Sequence, residues 1–161
     1  MKTLTTVALV VFAAFAGSQA GFKYRNNPKR LYQLAEIKRE KVKVGSASLN
    51  AWIMDTGAKR QEGMMFLTDK EVQANDAMLF VFPDEAARSF WMSNTLIPLD
   101  IAYISKSKKV VSVHTMKALD ETGVPSAKPA MYALEMKKGA FKRLGIKVGQ
   151  TLTVPPTVVG R

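Results

Sequence analysis

The sequence predicts a mainly β domain, a small β-sandwich or barrel-like fold with one or two short helices. Three observations carry this. Apolar residues recur at period two or in short continuous runs, as half-buried and fully buried strands require. The runs are numerous and brief, with Gly, Pro, Asn, Asp and Ser clusters between them. Only short windows show helical spacing, which leaves little material for an α/β or helical layer.

In chain order, Gly21 to Arg30 is polar, basic and broken by Asn27-Pro28, and reads as a mobile leader. Leu31, Leu34, Ala35 and Lys38 have helical spacing and suggest a short helix. Lys41-Val42-Lys43-Val44 alternates as a strand, Gly45-Ser46 punctuates it, and Leu49 to Met54 reads as its hairpin partner. Thr56 is placed to cap a short helix over Ala58 to Met65. Leu67 to Asp76 connects to Met78-Leu79-Phe80-Val81-Phe82, a strand covered on both faces. Pro83 should end that strand, with a turn at Asp84 to Ala87.

Arg88 to Met92 is expected to be the next strand, followed by a turn at Asn94-Thr95. Leu99 to Ile104 and Val110 to Met116 form a hairpin across the loop Ser105 to Lys109. Leu119 to Pro129 is a loop long enough for a flap or rim. Met131 to Met136 is a strand, Gly139 to Leu144 a helical turn, and Thr151 to Val154 closes the sheet before a frayed tail.

The domain division follows. Residues 1–20 have a positive start at Lys2, an apolar stretch from Leu4 to Ala16 and small residues in Ser18-Gln19-Ala20, the pattern of a cleavable secretory signal. The apolar stretch is shorter than the roughly 20 residues a membrane span needs. No transmembrane anchor is therefore expected after cleavage. Residues 21–40 are the basic leader, 41–155 the β domain and 156–161 the tail. There is no cysteine in the 161 residues. An exported protein of this kind relies on its core rather than on disulfides, and the expected location is periplasmic or secreted.

The net charge is +11. It is uneven: residues 21–44 hold eight basic and two acidic residues, and nothing acidic follows Glu135. An anionic cell-envelope surface or polymer is a plausible partner. No specific nucleic-acid module is present, since basic and aromatic residues are not interleaved.

The densest stretch runs from Ser89 to Asp100, Ser-Phe-Trp-Met-Ser-Asn-Thr-Leu-Ile-Pro-Leu-Asp. With Gly63-Met64-Met65, Met78 to Phe82, Tyr132-Ala133-Leu134-Glu135 and Gly145-Ile146-Lys147-Val148-Gly149, it closely resembles the DUF192 family of mostly bacterial and archaeal proteins. The likeness spans about residues 42–154. It implies a compact, mostly β domain, often exported, and no established activity. Three positions depart from the family pattern: Leu67 and Ser93 stand where basic residues are usual, and Ala77 where glycine is usual.

Candidate ligand-binding residues are Trp91, Asn94, Thr95, Asp100 and Glu135. Trp91 beside Asn94 could form a sugar or peptide platform, or Trp91 could be core. Asp100 lies inside an apolar run, where a carboxylate is costly unless bonded. The expected bonds lock the Asn94-Thr95 turn; the competing role is a general base. Glu135 or Asp100 could serve a hydrolase acting on glycan or cell-wall material.

Eight methionines follow the first residue, and some could join His114 in a copper site. Their scattered spacing favours core filler instead. No metal or cofactor is expected. The reading is an exported binding or accessory module of the cell envelope.

Overall fold

The computed structural model describes residues 26–161, so the segment read as a secretory signal and the first part of the expected leader lie outside the described residues. The chain folds as β1 (Arg39–Val44), β2 (Ala47–Met54), α1 (Gly57–Glu62), β3 (Asp76–Ala86), β4 (Ser89–Phe90), β5 (Leu99–Ile104), β6 (Val110–Met116), β7 (Val124–Pro125), β8 (Ala130–Lys137), α2 (Ala140–Leu144) and β9 (Leu152–Thr153).

Seven strands form one sheet in the order β6-β5-β8-β3-β2-β1-β9. β2 and β3 pair in parallel, and the other pairs along it are antiparallel. The sheet curls until its edges meet: Lys109 bridges Thr151, the Val110 amide donates to Gln150 O at 2.9 Å, and the Leu152 amide donates to Lys108 O at 2.8 Å. The fold is therefore barrel-like, and a two-stranded ribbon of β4 and β7 lies beside it. The β1–β2 turn needs Gly45 on two counts. Its φ is +58°, and a Cβ there would lie 2.6 Å from the Gln150 side chain.

Side chains alternate across the sheet and build two separate cores. Val42, Val44, Leu49, Ile53, Leu79, Val81, Ile104, Leu134 and Met136 fill the barrel, with Phe141 of α2 packed among them. The outer face carries Trp52, Met54, Met78, Phe80, Ile101 and Tyr103, covered by Leu34, Ile37, Met64, Leu67 and Met92. Burial on both faces explains the continuous apolar runs of β3, β5 and β8.

Several expectations need correction. Residues 31–38 form turns rather than a helix, and from residue 26 onward the leader is tied to the domain. Arg30 is buried and donates to Gly63 O at 3.0 Å and Met65 O at 2.6 Å, while Asn27 Nδ2 donates to Phe66 O. Specific long-range partners for these polar groups outweigh the weak helical pattern. Pro83 does not end β3, which runs on to Ala86. The pairing with β8 shifts between Val81 and Ala86, so no regular ladder bond is required of the proline there. The strand expected over Arg88 to Met92 shrinks to Ser89–Phe90, because among the described residues its strand partner is the two-residue β7 within the 119–129 loop. The tail is held as well: Val158 is buried, and the Arg161 amide donates to Asp55 O at 2.8 Å.

Candidate functional site

On the outer face the register aligns a row across five strands: Trp52, Met78, Glu135, Ile101 and His114. Glu135 is the acid of this row, flanked by Met78 and Ile101, and stands near the middle of the sheet. It is only 4 % exposed and lines a cavity of about 280 Å³. One wall comes from α1 and the turn after it, including Arg60, Glu62, Gly63 and Met65. The sheet contributes Phe80 and Phe82, and the opposite wall holds Ser89, Phe90, Trp91 and Thr95.

Local chemistry places each wall. Thr56 caps α1 by accepting from the Lys59 amide at 3.4 Å, as its sequence position predicts. Gly63 ends the helix at φ +47°, where an added Cβ would sit 3.2 Å from the Phe80 ring. On the other side Asn94 adopts φ +55°, a region that Asn tolerates better than most residues, and its carbonyl accepts from the Phe66 amide at 2.8 Å. That bond ties the Trp91–Thr95 segment to the chain after α1. Phe90 meets Phe80 edge-on with ring centroids 4.9 Å apart and Tyr103 at 5.8 Å.

The electrostatics single out Glu135. Burial pushes its carboxyl up to about 8. Among the described residues nothing donates a hydrogen bond or ion pair to it. The other charges around the cavity are engaged. Glu62 accepts from the Leu31 amide at 2.5 Å and the Tyr32 amide at 3.0 Å, and pairs with Arg30 at 3.3 Å. Arg60 donates to Val81 O at 2.8 Å and Arg161 O at 3.0 Å, with its guanidinium 5.1 Å from the Phe82 ring centre. Burial also raises the Tyr103 hydroxyl, which donates to Val124 O.

Of the five residues singled out by sequence, Trp91, Thr95 and Glu135 line this cavity. Trp91 is 48 % exposed, so it is a surface feature rather than core. Asn94 is an exposed turn residue behind the wall. Asp100 lies elsewhere, on the strand face opposite to Ile101. It accepts from Thr115 Oγ1 at 2.9 Å, the Gly139 amide at 2.7 Å and the Phe141 amide at 3.2 Å. It is a lock, as sequence reasoning favoured, but it holds the start of α2 and not the Asn94-Thr95 turn. Both oxygens accept protein hydrogen bonds, which favours the structural role over that of a base.

The walls of Arg60, Phe80, Phe82 and Phe90 were not singled out in advance. The family strings containing Phe80, Phe82 and Phe90 were the available signal. The methionines divide between the two cores: Met136 fills the barrel, while Met54, Met64, Met78, Met92 and Met116 pack outside. Among the described residues no group of three His, Cys, Asp or Glu side chains is arranged to hold a metal. Two of the departures from the family pattern are core positions, since Leu67 and Ala77 are fully buried. Ser93 donates to Glu121 Oε1 at 2.8 Å.

Fold and cavity together define a class: a small, barrel-like β domain with a carboxyl-floored pocket on its outer face. The chain belongs to the DUF192 family, described as "Uncharacterized ACR", whose model matches residues 40–154. It is similar to a solved structure of a "putative transcription regulator" from Sinorhizobium meliloti 1021, at 27% identity and TM-score 0.69, covering 73% of this chain and 95% of that one. It is also similar to a protein of unknown function from Novosphingobium aromaticivorans DSM 12444, at 30% identity and TM-score 0.67, covering 77% of this chain and 91% of that one. No curated protein matches the chain.

Proposed function

We propose that this protein is an exported small-ligand binding module of the cell envelope, with the cavity over Glu135 as its site. One observation carries the reading: a buried carboxyl without a partner among the described residues lines a cavity that also holds a half-exposed tryptophan. An uncompensated buried polar group is costly, so it persists where a ligand completes its bonding. The aromatic walls supply contact area. Export is supported by the N-terminal sequence pattern alone.

The test is a fragment screen by ligand-observed NMR on the folded protein, repeated with Trp91→Ala and Glu135→Gln. Fragments that bind the parent and are lost in both variants support the site. Fragments indifferent to both changes would place binding elsewhere. Export is tested by fractionation and by sequencing the mature N-terminus, which should begin at Gly21.

The exposed lysines beside the barrel seam, Lys41, Lys43, Lys109 and Lys147, support contact with an anionic envelope polymer or lipid surface. Retention on anionic vesicles should fall steeply with salt, and salt-independent retention would oppose this contact.

A hydrolase using Glu135 is the second reading, favoured by one feature. A carboxyl raised to about 8 stays protonated at neutral pH, as a general acid must. Its natural second carboxyl, Glu62, is held by two amides and Arg30, which weakens a two-carboxylate mechanism. Turnover of aryl glycosides that disappears in Glu135→Gln would favour it.

A further inference from the structure

Resting on the binding-module reading, we infer that the ligand carries an ammonium group, which sits against the Glu135 carboxylate inside the aromatic walls of the cavity. Three features converge on a cation. Glu135 has no protein cation or donor among the described residues. The basic residue of the cavity lining, Arg60, donates instead to the carbonyls of Val81 and Arg161. The walls present Phe80, Phe82, Phe90 and Trp91, whose ring faces attract cations. One of these rings already serves that purpose inside the fold: Phe82 lies 5.1 Å from the Arg60 guanidinium and 4.0 Å from that of Arg88. From the protonated Glu135 carboxyl a carboxylate ligand would gain a hydrogen bond but no ion pair, and the Arg60 donors nearby are already bonded to two carbonyls.

The charge balance of binding is simple. An ammonium enters, the Glu135 carboxyl loses its proton to solvent, and the ion pair leaves the net charge of the site unchanged. The groups facing this exchange are Arg60 and Glu62 from α1, which line the cavity, and Tyr103 from β5, whose hydroxyl feels the Glu135 charge. Burial raises Glu135 to about 8, so its charged form is scarce at lower pH. Affinity for an ammonium therefore rises about tenfold per pH unit below that value and levels off above it.

The experiment is isothermal titration calorimetry of the protein with benzylammonium chloride, benzyl alcohol and sodium benzoate, each near pH 6.5 in two buffers of different ionisation enthalpy. Benzylammonium should bind most tightly and release about one proton. Glu135→Gln should weaken it at least about tenfold. Proton release is read on the unsubstituted protein, so the result stands even if the variant folds poorly. Equal or tighter binding of benzyl alcohol or benzoate overturns the ammonium class, as does benzylammonium binding without proton release; both leave the pocket reading intact. If neither these three compounds nor any fragment binds at the cavity, both readings fall.

Discussion

Asp100 Oδ2 accepts the Gly139 amide at 2.7 Å, joining β5 to the start of α2. The same oxygen takes the Phe141 amide, while Oδ1 takes the Thr115 hydroxyl. Because Phe141 packs in the barrel core, this carboxylate fixes the element that packs against that core. Asp100→Asn keeps the shape but loses the charge and puts an N–H₂ where an acceptor is needed. We expect a loss of about 2–3 kcal/mol, seen as a Tm lower by roughly 5–10 °C. An unchanged Tm would remove the lock.

Arg30 supports a second prediction. Its side chain is fully buried and reaches Gly63 O, Met65 O and Tyr32 O, with Glu62 at 3.3 Å. Arg30→Met leaves three carbonyls without this donor and Glu62 without its cation. Denaturant unfolding should show a loss of about 3–5 kcal/mol. A loss under about 1 kcal/mol would mean that residues 26–38 are not held as described.

The Glu135 carboxyl gives a pH dependence whose sign is opposite to that of a salt-bridged acid. Its folded value of about 8 lies above the ordinary 4.5, so the folded state keeps this proton where the unfolded chain has lost it. The resulting stabilisation is full below 4.5 and fades as pH rises through 8. Against Glu135→Gln as reference, the parent should lose on the order of 2–4 kcal/mol between pH 5 and pH 8. Parallel pH–Tm curves for the two proteins would contradict this.

Gly63→Ala tests the wall. The φ of +47° disfavours any side chain, and the new methyl would press on Phe80. A cost of about 1–3 kcal/mol is expected in chemical unfolding, with weaker binding of any fragment that the cavity accepts. Full stability in the alanine variant would show that the turn relaxes freely.

Much of the fold was legible because periodicity reports burial. Lys41 to Val44 alternates because one face fills the barrel and the other meets water. Met78 to Phe82 does not alternate because both faces are covered. Thr56 was readable as a cap because its bond is local. What escaped were partners distant in the chain. Nothing near Arg30 announces Gly63, and nothing near Asp100 announces Gly139. Glu135 was visible as an acid in an apolar run. Its meeting with Trp91 depends on how β8 and the β4 segment are brought to one face, which no local pattern encodes. Pro83 misled because its rule assumes a regular ladder, and the ladder is irregular there.

The parallel pairing of β2 with β3 bears on the order of folding events. The hairpins β1–β2 and β5–β6 join neighbouring segments and can close early. A parallel pair must wait for the whole intervening crossover to loop back, at a higher entropic cost and a slower rate. That crossover carries α1 and Gly63 to Met65, which form one wall of the cavity. On this topology the cavity is expected to mature with a late step of folding, so a ligand would act as a trap for the finished domain rather than as a template for its early hairpins.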